Sequence, residues 1–195
     1  MKFLWCDIET TGIDFSKNAP FQIAFIFVHY TPIKKSEEKK MYYLNPFDVE
    51  GIEYSDESGA IHGYSRDKIE SFEDSKIVVK DIKEKLDKWL SIDNYEKIYF
   101  CGYNSEKFDY IFLDYFFNKY DINFSNYFQK QQLDVFNQVK TAFYKRKLQG
   151  LQNKKLSTVA NYLGIKLDNA HDAMADITAT REIAKSLSNM GIKLK

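Results

Sequence analysis

Four acidic residues and one histidine in this chain have the types and spacing that metal-assisted chemistry requires. Asp7 and Glu9 are separated by one residue in a predicted strand, and strand side chains alternate, so both carboxylates project to one face. Adjacent carboxylates repel each other unless a cation lies between them, and their hard oxygen atoms suit Mg²⁺ or Mn²⁺. The remaining members are Asp109, Asp176 and His171. Such a set indicates a two-metal phosphodiesterase.

Each residue near this set also has an ordinary structural interpretation. Asp109 begins a predicted helix, where an acidic side chain compensates the helix dipole. Asn104 could cap the same helix, and Phe108 could pack in the core. A single histidine before a helix, as at His171, is usually a surface residue, and Asp172 is typical of a helix N-terminus. The set taken together therefore carries the chemical prediction.

Three motifs of the chain resemble those of the DnaQ-like DEDDh 3′–5′ exonucleases. Segment 7–12, DIETTG, is similar to the first motif. Segment 102–109, GYNSEKFD, is similar to the second, with the spacing of the exonuclease I branch. Segment 171–176, HDAMAD, is similar to the third, with histidine instead of tyrosine as the base. Segment 61–65, IHGYS, resembles a supporting His-Gly-Ile-Ser/Thr element between the first two motifs.

The resemblance implies an α/β fold of the ribonuclease-H-like kind, a mixed β-sheet flanked by helices on both faces. It also implies a single exonuclease domain over residues 1–195. His171 would be the catalytic base, and its family spacing selects Asp176 over Asp172 as a ligand. The implied ligands of two Mg²⁺ (or Mn²⁺) ions are Asp7, Glu9, Asp109 and Asp176. The expected substrate contacts in the motifs are Thr10, Thr11, Gly12, His62, Asn104 and Phe108.

Two further expectations concern the surroundings of the motifs. Gly12 is expected to adopt a backbone conformation that residues with a β-carbon avoid. The segment from Val135 to Leu167 contains basic residues but no Asp or Glu. We expect it to contact substrate phosphates, chiefly through Lys145, Arg146 and Lys147. The alternative is a solvated helix face, which is the usual role of a charged segment.

Composition is that of a globular protein. Apolar residues make up 44% of the chain and charged residues 29%. The 28 basic and 28 acidic residues balance, whereas nucleic-acid binders are often basic overall. No apolar run approaches the ~18 residues of a membrane span, and acids interrupt the N-terminal apolar segment, so we expect a cytoplasmic protein without a membrane partner. Cys6 and Cys101 are expected to be small buried hydrophobes.

The expected partner is nucleic acid, with single-stranded DNA as the leading substrate. A ribonuclease that trims RNA 3′ ends is the main alternative, because no reader of the 2′-hydroxyl can be identified in the sequence. A proofreading subunit would need a polymerase or another replication or repair partner. A non-catalytic nucleic-acid-binding module is a further alternative, which the full set of five catalytic residue types disfavours.

Hydrophobic periodicity and turn residues predict the elements that position these motifs. Strands are predicted at 3–9, 21–30, 41–44 and 97–102, with a charged turn at 34–40 and a loop at 45–59. Helices are predicted at 65–69, 74–90, 105–119, 133–144, 156–163 and 172–188. Strands that alternate with helices after an initial meander favour a mixed sheet covered by helices.

Overall fold

The structure is a computed structural model that describes residues 1–94, 96–168 and 171–193. Its six strands form a mixed sheet in the order β4-β3-β2-β1-β5-β6. β1, β2 and β3 form an antiparallel meander, while β5 runs parallel to β1 and β6 runs parallel to β5. The strands are β1 (Lys2–Thr10), β2 (Pro20–Tyr30), β3 (Lys35–Asn45), β4 (Glu73–Asp74), β5 (Tyr99–Gly102) and β6 (Leu133–Asp134).

Helices cover both faces of this sheet, which confirms the predicted α/β class. One face packs against α3 and α4, and the other packs against α7, which contacts β1 and β2. The helices are α1 (Asp56–His62), α2 (Arg66–Glu70), α3 (Ser75–Ser91), α4 (Asp109–Asn118), α5 (Val135–Tyr144), α6 (Leu156–Tyr162) and α7 (Ala173–Asn189).

The alternation along β1 sets which face carries the acids. Leu4, Cys6 and Ile8 are buried in the core that α3 and α4 complete. The intervening side chains therefore point to the α7 face, and there Asp7 and Glu9 are half-buried at the C-terminal end of the strand. β2 is buried on both faces along almost its whole length, as expected of a strand next to the centre of a covered sheet.

The predicted charged turn at 34–40 is wrong. Residues from Lys35 onward form the first half of β3 and pair with β2. The charges are tolerated because this half of β3 lies at the sheet edge, where charged side chains are common. They also find partners: Glu37 accepts hydrogen bonds from Arg181 of α7, and Glu38 accepts one from Lys85 of α3.

Three other predicted boundaries differ from the structure. The predicted loop at 45–59 contains the start of α1, whose first turn is capped by the Ser55 hydroxyl and which ends at His62. The predicted helix at 105–119 is a short 3₁₀ turn followed by α4, which begins at Asp109. The helix predicted at 133–144 begins at Val135 in the structure, two residues later than predicted. Leu133–Asp134 instead pair with β5 as β6.

Both cysteines are fully buried in neighbouring strands, as expected of small hydrophobes. Burial raises the pKa of the Cys6 thiol, as it does for Cys101. In the described part of the chain, no helix has both the length and the apolar character needed to cross a membrane.

Candidate active site

The five catalytic candidates come together around the C-terminal end of β1, an interior strand of the sheet. Asp7 and Glu9 lie at the C-terminal end of β1, Asp109 is the first residue of α4, and Asp176 lies in the first turn of α7. The carboxylate of Asp109 is almost fully buried and accepts the Ile8 backbone N–H at 3.1 Å. This hydrogen bond fixes Asp109 directly beside the strand that carries the first two acids.

His171 lies beside Glu9 and Asp176, just before α7. Three atoms lie within 4.8 Å of one another: a ring nitrogen of His171, a carboxylate oxygen of Glu9 and a carboxylate oxygen of Asp176. The side chain of His171 is exposed, and its backbone N–H donates to Asp176 Oδ2 at 3.3 Å. The geometry therefore permits His171 to act as a base beside the cluster or as a ligand within it.

The environment of the carboxylates opposes their negative charge. Burial raises the pKa of Asp7 well above its ordinary value, and the neighbouring carboxylates of Asp109 and Asp176 raise it further. Burial, together with repulsion from the carboxylates of Asp176 and Asp109, raises the pKa of Glu9 to about 8. Burial raises the pKa of Asp109 to about 7, although backbone N–H donors oppose the shift. The pKa of Asp176 is also raised by burial.

These observations fit a hard divalent cation. All four acids offer oxygen atoms, which Mg²⁺ and Mn²⁺ prefer. Asp176 Oδ1 is buried and has no hydrogen-bond partner among the described residues, so it has a lone pair available for an ion. A bound cation would also remove the repulsion that raises the carboxyl pKa values.

Asp134 positions the segment that leads to Asp109, and the sequence prediction missed it. Its carboxylate accepts the backbone N–H groups of Asn104 at 2.8 Å, Glu106 at 3.4 Å and Phe136 at 2.8 Å. It thereby caps α5 and fixes the turn after β5. An acid directly before a helical pattern was the available signal. The structural alternative for Asn104, a side-chain cap, is not observed, because Asn104 adopts a left-handed backbone (φ 58°) and makes no side-chain cap bond. Its substrate contact stays a prediction.

The turn after β1 is held by its own threonines. Thr10 Oγ1 donates to the Gly12 carbonyl at 2.7 Å. Thr11 is fully buried, and its hydroxyl donates to the Glu53 carbonyl at 2.7 Å and accepts the Ala19 N–H at 3.1 Å. The Thr11 hydroxyl is therefore committed to the protein, and its substrate contact stays a prediction.

Gly12 is required for a different reason from the one expected. Its φ lies outside the left-handed region, so backbone freedom does not explain the residue. A β-carbon at Gly12 would lie 2.3 Å from Asn18 Oδ1, which also accepts the Asp14 backbone N–H. Glycine is needed here because the Asn18 side chain occupies the space.

His62 and Phe108 lie close to the site but are packed against the protein. His62 is buried, its ring meets Phe21 edge-on at 4.7 Å, and its Nδ1 accepts the Tyr64 N–H. Burial and the nearby His171 lower the pKa of His62. Phe108 is half-buried and packs 4.7 Å from Phe112, which agrees with the core-packing alternative. Substrate contacts for both residues stay predictions.

The basic segment divides into two parts with different locations. Lys155 lines a pocket of about 250 Å³ together with His171 and Asp176. A neighbouring pocket of about 480 Å³ is lined by Lys154 and Lys155, with Tyr103, Asn104 and Phe136. The structure thus brings Lys155 beside His171 and Asp176, whereas the Lys154 ammonium lies 4.2 Å from the centre of the Phe143 ring.

The three basic residues predicted as chief phosphate contacts lie elsewhere. Lys145 lines a pocket with residues 191–193, beyond the C-terminal end of α7. Arg146 lines a separate pocket with Tyr144, and Lys147 follows in the same turn. Since Asp176 is near the N-terminal end of α7, most of that 17-residue helix, about 25 Å long, separates Lys145 from the acids.

Sequence comparison defines the class of the protein. The RNase_T family model, described as exonuclease, matches residues 4–184. The chain belongs to this exonuclease family. The matched range contains all four acids and His171 that the sequence predicted as catalytic. No curated protein sequence matches the chain.

Solved structures of exonuclease I share the fold. One has a TM-score of 0.78 and 22% identity, and the match covers 96% of this chain and 41% of that one. The zinc-bound complex of E. coli exonuclease I with single-stranded DNA has a TM-score of 0.78 and 22% identity, with 97% and 40% coverage. A product-bound exonuclease I has a TM-score of 0.74 and 20% identity, with 96% and 43% coverage. The present chain thus spans less than half the length of those chains.

Proposed function

We propose that this chain is a divalent-cation-dependent 3′–5′ exonuclease that acts on single-stranded DNA and releases nucleoside 5′-monophosphates. The observation that carries the proposal is the convergence of four carboxylates with raised pKa values beside the exposed imidazole of His171. Membership of the exonuclease family agrees with this chemistry.

Asp7, Glu9, Asp109 and Asp176 would hold two Mg²⁺ or Mn²⁺ ions. When bound, such ions lower the pKa of the attacking water and offset the charge that develops on the phosphate and the leaving oxygen. The carboxyl groups must lose their protons to serve as ligands, so protons and cations compete for the site. The values of about 8 for Glu9 and about 7 for Asp109 place this competition near neutral pH.

His171 would take the proton of the attacking water. The water oxygen forms a bond to phosphorus, the bond from phosphorus to the 3′-oxygen breaks, and the leaving oxygen gains a proton from solvent. A neutral imidazole is the suitable base, since its nitrogen accepts the proton at ordinary pH. Its exposure leaves it open to a bound strand, while Asp176 Oδ2 holds its backbone.

The pockets beside the acids support a single strand as the substrate. The pocket at Lys155 adjoins His171, and the next pocket is lined by Lys154 and Lys155 together with the rings of Tyr103 and Phe136. The Lys154 ammonium itself lies over the ring of Phe143. Lysines that follow a backbone, alternating with aromatic rings on which bases stack, are typical of single-strand binding. Exonuclease I of E. coli has been solved with single-stranded DNA, which supports this substrate by analogy. A polymerase partner stays a prediction.

Digestion of matched substrates tests the proposal. The protein is incubated with Mg²⁺ and with 5′-labelled single-stranded DNA, duplex DNA or RNA of one sequence. We expect a descending ladder that forms fastest with single-stranded DNA and disappears when EDTA is added. Faster trimming of RNA would assign the chain to the ribonuclease alternative, and cleavage that continues in EDTA would remove the cation site from the mechanism.

A further inference from the structure

The buried amide of Gln22 on β2 lies between Glu9 and the start of α7. Gln22 is a polar residue within the apolar run from Phe21 to Val28, and its side chain is fully buried. It pairs directly with Glu9 across the antiparallel ladder, so both side chains project from the same face, with Cβ atoms about 5 Å apart. Because buried amides are hydrogen-bonded almost without exception, the partners of Gln22 reveal its role.

The amide of Gln22 binds the N-terminus of α7 through both of its polar atoms. Oε1 accepts the backbone N–H of Ala173, the first residue of the helix, at 3.1 Å. Nε2 donates to the hydroxyl of Tyr43 at 3.1 Å and to Asp172 Oδ2 at 3.5 Å. The other oxygen of Asp172 caps the helix by accepting the Met174 and Ala175 N–H groups.

The same turn carries both catalytic groups of the third motif. The backbone N–H of Asp176 donates to the carbonyl of Asp172 at 2.9 Å, and the His171 N–H returns to the Asp176 carboxylate. His171 has a φ of 71°, a backbone conformation that non-glycine residues adopt only when their surroundings hold them there. Gln22 is part of those surroundings, because it holds the next residues of the turn against β2.

We propose that Gln22 is a positioning residue that sets the separation between Glu9 and the pair formed by His171 and Asp176. The inference rests on the proposed function of these three residues. An amide is needed because it accepts from Ala173 and donates to Asp172 at the same time. A methionine of similar size would leave the Ala173 N–H unpaired, and a glutamate would place another carboxylate against Asp172.

The chain offers a matched control for this test. Gln138 is also buried, at 3% exposure, and its Nε2 also contacts α7, donating to the Ala184 carbonyl at 3.2 Å and to Ser188 Oγ at 3.3 Å. Those contacts lie at the end of α7 that is remote from Asp176. Gln138 Nε2 also donates to the Ile192 carbonyl, whereas its Oε1 has no partner among the described residues. Gln22→Met and Gln138→Met therefore each remove amide hydrogen bonds to α7, at opposite ends of the helix, and Gln138→Met controls for the general loss of a buried amide.

Only Gln22→Met should alter the active site. We expect kcat to fall about 10–100-fold with little change in KM, and Mn²⁺ to bind about tenfold more weakly in calorimetry without substrate. The Ala173 amide should also exchange its hydrogen faster in the cation-free protein. Equal effects of the two variants on kcat and on Mn²⁺ affinity would overturn the inference.

Two further measurements keep the test decisive. Tyr43→Phe removes one anchor of the Gln22 amide from a half-buried position and leaves Gln22 in place, so it applies if Gln22→Met does not fold. We expect a smaller loss of kcat and Mn²⁺ affinity in the same direction, and no loss would overturn the inference. Failure of the unaltered protein to cleave DNA or bind Mn²⁺ would instead refute the proposed function, while the Ala173 exchange rate would still test whether Gln22 holds the turn.

Discussion

The carboxylate of Asp176 lies close enough to Asp7 to add to the rise in the Asp7 pKa that burial causes. We expect Asp7→Ala or Asp176→Ala to reduce cleavage in Mg²⁺ on the order of 10³-fold or more, because each removes an oxygen ligand. Strand binding and the fold should survive, since neither change creates a large cavity. Circular dichroism and a binding assay check this, and wild-type turnover in either variant would show that the ligands are assigned wrongly.

His171 provides a contrasting prediction at the same scale, because it lies close enough to Glu9 and Asp176 to be a ligand. As a base, its loss in His171→Ala should reduce the rate roughly 10²–10⁴-fold and leave cation affinity nearly unchanged. Calorimetric titration with Mn²⁺ separates the two roles, because a collapse of affinity in the variant would make His171 a ligand.

The raised carboxyl pKa values also predict how stability depends on pH. In the unfolded chain Asp and Glu titrate near pH 4, whereas folding raises the pKa of Glu9 to about 8 and of Asp109 to about 7. Folding therefore favours the protonated forms, and their contribution to stability is complete below about pH 4 and is lost as pH rises through about 7 to 8. We expect the Tm of the cation-free protein, measured in EDTA, to fall between about pH 5 and pH 8.

Mg²⁺ and a neutral variant are the controls for this dependence. Saturating Mg²⁺ should remove much of the fall in Tm, because the cation binds the deprotonated carboxylates of the folded protein. Asp109→Asn keeps an oxygen for the Ile8 N–H and should flatten the profile in EDTA. A Tm that rises steadily with pH in EDTA would contradict the shifts.

Motif acids could be predicted at the residue scale because their spacing is local to one strand or one helix start. Gln22 and Asp134 could not be found in that way. Gln22 meets Ala173 across 151 positions, and Asp134 meets Asn104 across 30, so their partners depend on the tertiary fold. A polar residue inside an apolar strand was a visible sign at Gln22, but it did not identify the partner.

At the scale of elements, sequence periodicity predicted the segments that have a regular apolar pattern. It failed for segments whose secondary structure is determined by tertiary contacts. β1, β2, α3 and α7 begin and end within a few residues of their predicted bounds, since each has a continuous apolar pattern. The charged half of β3 has no such pattern, and its strand conformation depends on pairing with β2. The sequence predicts helix at the position of β6, because a strand of two residues is too short to show the alternation of apolar and polar residues.

The division of the basic segment predicts two classes of lysine variant. Lys154→Ala with Lys155→Ala should weaken binding of short and long single strands and flatten the slope of log K against log salt by about 1.4, since each contact contributes about 0.7. Lys145→Ala, Arg146→Ala and Lys147→Ala combined should weaken only long strands, because Lys145 and Arg146 line pockets that contain none of the catalytic residues.

Salt titrations with strands of about four and about sixteen nucleotides distinguish the two classes. Thermal stability should change little in either variant, because all five side chains are exposed or half-buried. If the slope of log K against log salt is unchanged for the triple variant on the long strand, residues 145–147 form a solvated surface and do not contact phosphates. An unchanged slope for the double variant would exclude the pocket at Lys155 as a phosphate site.

At the scale of the whole molecule, the two faces of the sheet have different tasks. The face under α3 and α4 holds the larger part of the aromatic and aliphatic core. The α7 face holds Asp7, Glu9, Asp176 and His171, and Asp109 joins them from the first residue of α4, so the site draws on three separate segments of the chain. Such a site forms only when the sheet, α4 and α7 are assembled, so cation affinity reports on the complete fold.

Digestion of end-blocked and circular strands tests the 3′–5′ exonuclease activity most directly. Linear single-stranded DNA with a 5′ fluorescent label, the same strand with a 3′-phosphate, and a single-stranded circle are each incubated with the protein and Mg²⁺. The predicted result is stepwise shortening of the free linear strand with release of nucleoside 5′-monophosphates, while the 3′-phosphate blocks digestion and the circle stays intact. Early internal fragments from the circle, or unimpeded digestion of the 3′-phosphate strand, would contradict the account.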